Sequence, residues 1–341
     1  MPANHTKQPK EEQADLPRGR VTPRVGRHDS GSASGYAPLI VSSANTKEVL
    51  YLVNRPGNAT SQSGSVEWID RAVELVARVA RSVTIRGDTD FSHTAQLDRW
   101  DGAGRKFILG IDAHPKLVGL AQALENGAWK PFEREPKYEI LTEPRPKAFR
   151  YKEQVVIERQ FKNQKLVGEA LAEIEYQPAQ CRRKYRVIIL RKNISVQKGE
   201  QVLLDEVRYF FYLTNRKDKT EKIVGLANGR CDQENVIEQL KNGVNAMRMP
   251  VNDLVSNWAY MVMAALAWNL KAWYGLLVPN RERGLELVRM EFRRFLHAIV
   301  LLPCQIVRTA RRVIYRILGY NGWLKDFFAT WERLQRLVLV E

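Results

Sequence analysis

Between Tyr36 and Leu124 the apolar residues switch period repeatedly, and that alternation confines the chain to a small set of folds. Leu39-Ile-Val-Ser42 and Val49-Leu-Tyr-Leu-Val53 read as strands joined by a polar turn at Ala44-Asn-Thr-Lys47. Arg55-Pro-Gly-Asn58 closes this unit with turn residues. A helix is expected over 64–81, with Val66, Ile69, Val73, Leu75, Val76 and Val79 at helical spacing. Ser82-Val-Thr-Ile85 is a short strand that runs into Arg86-Gly-Asp-Thr-Asp90. Phe107–Ile111 is the next strand and Leu117–Leu124 the next helix. Strand and helix in alternation predict an α/β fold. From about 145 to 215 the pattern changes to strands alone: Val155–Ile157, Ala170–Tyr176, Tyr185–Leu190 and Val207–Leu213. Several of these alternate apolar with charged residues, as a half-buried antiparallel sheet does. A helix over 233–243 follows, and 251–338 reads as helical; no internal repeat is present.

Composition narrows the partners. The 341 residues carry 54 basic and 38 acidic side chains, a formal charge of +16. Such an excess favours nucleic acid or an anionic membrane surface. Cys181, Cys231 and Cys304 lie far apart, which argues against a zinc site or a disulfide framework and fits a reducing cytoplasm. Residues 1–34 are polar, basic and rich in Pro, Gly and Ser, and read as a disordered arm rather than a signal peptide. The most apolar run, 255–278, is broken by Asn257, Asn269 and Lys271, so a buried helix fits it better than a membrane span.

Chemistry concentrates in two places. Arg230-Cys-Asp-Gln-Glu234-Asn-Val-Ile-Glu-Gln-Leu-Lys241 sets a carboxylate between two cations. On an ideal α-helix Glu234 lies about 40° and Lys241 about 20° around from Arg230, so all three share one stripe. Val236, Ile237, Leu240 and Val244 form the adjoining apolar arc. Such a carboxylate can hold a metal ion while the cations hold phosphate. The plainer reading is an amphipathic helix with an i,i+4 ion pair. Asp88 is the second place: it follows a short strand, beside Gly87, where a rigid backbone can present an acid. A simple Gly-Asp turn is the alternative, and Asp90 is the local rival. Among the basic surfaces, Arg308, Arg312 and Arg316 stand at i, i+4 and i+8, expected as one helical stripe along a DNA backbone. A solvated helix face or a membrane-surface helix would also explain it. The tryptophans 258, 268, 273, 323 and 331 are expected to pack helices rather than stack on bases.

The spacing Arg230-x3-Glu234-x6-Lys241 matches the tail of the Tyr-x2-Arg-x3-Glu-x6-Lys signature of DDE insertion-sequence transposases. Arg86-Gly-Asp88-Thr-Asp-Phe91 is similar to their second-aspartate segment. The chain resembles the DDE group 1 transposases, the "thirteen-eighty" insertion-sequence family. Further matches are Gly35-Tyr36-x-Pro-Leu39, Leu52–Asn58, Arg230–Asn235, Asn257-Trp-Ala-Tyr260 and Leu302-Pro-Cys-Gln-Ile306. The resemblance covers about 36–328 and implies the following expectations. The fold is a ribonuclease-H-like core (35–144) interrupted by a β-rich insertion (145–220), then a core helix with the last acid (221–250) and a helical C-terminal region (251–341). Asp88 and Glu234 are catalytic and hold Mg²⁺ or Mn²⁺ in a two-metal site; Arg230 and Lys241 grip phosphate. The activity is cleavage and strand transfer at transposon ends, in the cytoplasm on nucleoid DNA, with no membrane role and with a homodimer as one option. Two departures qualify this. Ala227 stands where the signature has Tyr. No strand that could carry the first catalytic Asp precedes Tyr36; Asp29 and Asp15 lie in the polar arm, with Asp29 the nearer acid. An N-terminally truncated transposase with impaired catalysis is therefore expected. The alternatives are a non-catalytic DNA-binding remnant and a nuclease that cuts without joining.

Overall fold

In the computed structural model, residues 35–134, 154–155, 159, 162–198, 201–229, 231–319 and 321–337 are described. Two strands, β1 (Leu39–Ser42) and β2 (Val49–Val53), form an antiparallel hairpin that is a sheet by itself. After α1 (Ser65–Ala77) comes β3 (Thr84–Gly87), then two 3₁₀ turns and α2 (Leu97–Gly102). The next elements are β4 (Lys106–Ile111), α3 (Pro115–Gln122) and the two-residue β5 (Lys130–Pro131). Three long strands follow: β6 (Lys162–Tyr176), β7 (Tyr185–Lys198) and β8 (Gln201–Thr214). The main sheet has the order β3-β4-β8-β7-β6-β5, parallel only between β3 and β4. The strands expected as an insertion thus continue the same sheet as β3 and β4, through β8 beside β4. The expected strand at 155–157 falls outside the described residues except for Val155.

β7 shows why this sheet forms. Its run Val187-Ile-Ile-Leu190 is buried throughout, because both faces are covered. Val187 and Ile189 meet Trp100, Leu117, Phe107 and Phe211 on one side. Ile188 and Leu190 meet Ile223 and Val224 of α4 (Thr220–Asn228) on the other. Each fully buried side chain of this kind contributes about 1.5–3 kcal/mol.

The motif helix is shorter than the sequence suggests. α5 spans Cys231–Glu238 and passes into a π-turn over Gln239–Gly243. The cause is tertiary. The buried Gln239 accepts a hydrogen bond from Phe292 N–H at 2.9 Å, and Val244 N–H reaches the Gln239 carbonyl at 3.0 Å. A Cβ at Gly243 would stand 3.0 Å from Gln239 Oε1 and from Phe292 Cβ, so a larger residue would push these side chains aside. The π-turn breaks the α-helical phase on which the single Arg230–Glu234–Lys241 stripe depended.

α6 (Leu254–Leu277), with Asp253 accepting from Ser256 N–H at its N-terminus, lies under the β1–β2 hairpin. α7 (Arg281–Arg289) and α8 (Phe292–Phe295) follow. The 251–338 region is then not helical throughout: Cys304–Arg308 (β9) and Val313–Ile317 (β10) form an antiparallel ribbon. This corrects the arginine stripe. Arg308 pairs across the ribbon with Val313, Arg316 pairs with Gln305, and Arg312 sits in the turn. Alternate residues of a strand face opposite ways, so Arg308 and Arg316 lie on opposite faces. β-branched Ile306, Val307, Val313, Ile314 and Ile317 favour strand over helix here and override the charge spacing. α9 (Leu324–Gln335) is the last helix described.

Candidate active site

β3 carries the chain from the buried Ile85 out to Asp88, whose backbone is extended (φ −84°, ψ −169°). What lets Asp88 sit here is Gly110, the last residue but one of β4. A Cβ there would stand 3.0 Å from the Thr89 nitrogen and 3.2 Å from the Asp88 carbonyl carbon. Glycine lets the Asp88–Thr89 backbone lie directly on β4. The Asp88 carboxylate Oδ1 is buried. Asp90 does not cap the following turn with its side chain; its carboxylate accepts from Ser61 Oγ at 3.2 Å.

Glu234 is exposed on the first turn of α5. Its neighbour Gln233 ties that turn to the hairpin by donating to the Ile40 carbonyl at 3.2 Å. Asp88 and Glu234 line one pocket of about 170 Å³, walled by β1 (Leu39–Ser42), β3 (Ile85–Gly87), Phe91, Leu109 and the α5 residues Gln233 and Ile237. The pocket lies between two strands that border different sheets. Among the described residues no strand pairs with the second edge of β1 or of β3.

Arg86 is a cation at this site that spacing alone did not single out. Its Nη1 donates to the Leu226 carbonyl at 2.8 Å, near the C-terminus of α4, where a cation opposes the helix dipole. Burial lowers its pKa, and the Asp232 carboxylate partly offsets this. The sequence did carry signals for two of these supports: an isolated glycine inside a strand and a basic residue two before Asp88.

Of the expected cations, Arg230 lies outside the described residues. Lys241, exposed on the π-turn, does not line the pocket. Arg308, Arg312 and Arg316 are on the ribbon, not at this site. Two of the cysteines do not line the pocket: Cys181 is buried, with its thiol pushed up to about 11 by burial and by Asp98, and Cys304 is exposed. Among the described residues no group of three or more His, Cys, Asp or Glu side chains is placed to hold a metal ion.

Segments far apart in sequence also meet at the β1–β2 hairpin and its flanks. Tyr36 bridges Pro56, and the Asn257 amide donates to Tyr36 Oη at 3.0 Å. Trp258 donates to the Leu52 carbonyl at 2.6 Å. A family model for the transposase DDE domain, group 1, matches residues 30–339, nearly the whole chain. The chain belongs to that family. No curated protein matches it. Membership points to DNA transposition and to DNA as substrate, and DDE transposases usually use a divalent metal. Among the described residues no helix of this DDE domain is long and apolar enough to cross a membrane.

Two carboxylates are a partial but suitable set for such a metal. Mg²⁺ prefers hard oxygen ligands, and commonly takes one or two carboxylates with water and substrate phosphate completing its shell. Asp88 and Glu234 are two carboxylates of the kind that would supply such ligands.

Proposed function

We propose that the chain is an insertion-sequence DNA transposase of ribonuclease-H-like design, in which Asp88 and Glu234 hold Mg²⁺ or Mn²⁺. The observation that carries this reading is the one pocket that both Asp88, just after β3, and Glu234, on α5, line. Sheet and helix fix the two acids independently, so the spacing between them is set by the core rather than by a flexible loop. Bound there, a divalent ion would supply Lewis-acid polarisation of a phosphoryl oxygen and lower the pKa of a bound water. The chain's own part is to anchor that ion through the two carboxylates. Arg86 keeps one wall of the pocket positive. Phosphate contacts are assigned to Arg230, by its place in the motif, and, away from the pocket, to Lys241 and the ribbon arginines 308, 312 and 316.

A second reading, a DNA-binding protein that occupies transposon ends without cutting them, rests on one observation. The described residues supply two carboxylates at this place and not three. On that reading the third acid is lost and strand transfer is impaired.

One experiment separates the two. The full chain, Asp88→Asn and Glu234→Gln are compared for cleavage of a DNA carrying the transposon end, with Mg²⁺ or Mn²⁺. Losing even an outer-sphere partner of a metal typically costs 10–100-fold, so losing a direct ligand should cost more than about 100-fold. DNA binding should persist in both variants. Cleavage that survives both changes would refute the site. Binding without cleavage by the unaltered chain selects the second reading.

A further inference from the structure

The opposite side of α5 faces a second and larger cavity, of about 680 Å³. Its walls are the β1–β2 turn (Ala44, Asn45, Lys47), α5 (Asp232, Asn235, Val236), Trp268 of α6, and α7 (Arg281, Leu285, Val288, Arg289). Three cations face one carboxylate there. Lys47 is held by Asp232 at 2.6 Å, with its side chain only 15% exposed. Arg281 and Arg289, two turns apart on α7, are exposed. Neither forms an ion pair among the described residues.

The turn that supplies Lys47 is held in an unfavourable shape. Lys47 has φ +62°, in the left-handed region that costs a non-glycine residue about 1 kcal/mol or more. Lys47 N–H donates to the Ser43 carbonyl at 2.9 Å, and its own carbonyl accepts from Trp268 Nε1 at 2.7 Å. These bonds fix the Lys47 backbone at the cavity wall, and Asp232 holds its ammonium there. Behind Trp268 and Val288 lies another cation. Lys271 is 1% exposed, with its Nζ 2.7 Å from the Val288 carbonyl and 4.0 Å from the centre of the Trp268 ring. The cavity thus has a positive rim, backed by a buried amine that carries its charge only as the pH falls to about 7.

We infer that this cavity is a phosphate-binding site, formed by Lys47, Arg281 and Arg289, which takes a phosphodiester of the DNA strand that reaches Glu234. The volume falls within the roughly 300–1,000 Å³ of ligand pockets. Asn45 and Asn235 add amide donors that suit phosphate oxygens. α5 is the shared wall, with Glu234 on one side and Asn235 on the other, so a strand held here is held beside the carboxylates. The phosphate chemistry stands on the cavity alone. The DNA source rests on the transposase reading.

The test uses the full chain, Arg281→Ala/Arg289→Ala, and the charge-preserving Arg281→Lys/Arg289→Lys. One arm titrates inorganic phosphate and follows thermal unfolding. The other measures the salt dependence of binding to a transposon-end duplex. Each phosphate contact adds about 0.9 to the slope of log affinity against log salt. The alanine pair should lower that slope by roughly 1.8, and the lysine pair should restore it. Both arginines are exposed, so unchanged thermal unfolding without ligand checks the fold. A phosphate upshift abolished by the alanine pair, with an unchanged DNA slope, supports the site and assigns a free phosphate compound as its ligand. If the unaltered chain ignores DNA but keeps the phosphate upshift, the transposase reading fails and the site stands. If the alanine pair changes neither arm, or the unaltered chain responds to neither probe, the inference is overturned.

Discussion

The chain contains two antiparallel ribbons of two strands each, and they have opposite fates. β1–β2 is bound into the molecule: Leu39, Val49, Leu52 and Val53 are buried. α6 reaches across with side chains that take the place of a third strand. The Asn269 amide accepts from Val49 N–H at 2.8 Å and donates to the Val49 carbonyl at 2.9 Å. Trp258 and Trp268 donate to the Leu52 and Lys47 carbonyls. Among the described residues no side chain from another element bonds to the β9–β10 backbone in this way. Ile306, Val313, Ile314, Tyr315 and Arg316 are exposed, on both faces of the ribbon. Its turn is closed locally, by Thr309 and Arg312. A lone two-stranded ribbon is marginal in water. The contrast teaches that pairing alone does not make a platform. β1 can wall the candidate active site because a helix satisfies its hairpin's backbone groups from outside.

The sharpest way to break this comparison is Trp268→Ala. The side chain is 1% exposed, and its loss leaves a cavity, an unsatisfied Lys47 carbonyl and a buried Lys271 without its ring partner. Core aromatic truncations cost about 3–5 kcal/mol. The expected result is a loss of that size in urea unfolding, with fast amide exchange in 39–53. A loss below about 1 kcal/mol would show that the hairpin does not depend on α6.

These stapling residues also show what is legible in the sequence. Asn257, Asn269 and Lys271 are visible as interruptions of an apolar run, enough to argue against a membrane span. Their tasks are not visible, because the partners Tyr36, Val49 and Val288 come from other parts of the chain. Strands β3, β4, β7 and β8 are legible, since their β-branched and aromatic runs are local signals. So is the placing of Asp88 at a strand end. The π-turn is not: Gln239 bends the helix by meeting Phe292, a partner absent from local periodicity. The C-terminal ribbon departs from the expected helix because β-branching outweighs charge spacing there. The larger cavity has no sequence signature, as its walls join the β1–β2 turn, α5, α6 and α7, which are far apart in the chain.

A smaller effect tests the same helix through pH. Burial pushes the pKa of Lys271 down to about 7, from its ordinary 10.5. The folded state therefore holds fewer protons than the unfolded chain between pH 7 and 10.5. Stability must then rise with pH through that window, and the full penalty of the buried charge is felt below pH 7. At about 1.4 kcal/mol per unit the ceiling is near ~5 kcal/mol, reduced by relaxation around the site. Lys271→Met fills similar space without the charge. It should be more stable than the unaltered chain by a few kcal/mol at pH 6, and the gain should shrink steadily towards pH 10. A gain independent of pH would mean that the ammonium is not desolvated, and that no buried charge lies behind the cavity wall.

The smallest expected stability effect belongs to the other ribbon, and it separates a structural role from a binding one. Arg308→Ala/Arg312→Ala removes two guanidinium groups from the β9–β10 turn region, where both are exposed and neither forms an ion pair among the described residues. Surface changes of this kind stay within about 0.5 kcal/mol, so urea unfolding should be almost unaltered. DNA affinity should behave differently. A two-stranded ribbon fits the DNA major groove, and arginines at its tip would meet phosphates on either side. The salt slope of DNA binding should then fall by roughly 1–2, in proportion to the number of phosphates no longer neutralised. Adding Arg316→Ala, on the opposite face, should lower it less if one face of the ribbon meets the duplex, and equally if the ribbon lies inside the groove. A ribbon that tolerates all three changes without altering either stability or salt slope would be neither scaffold nor DNA contact, and DNA binding would then rest on the cations around α5.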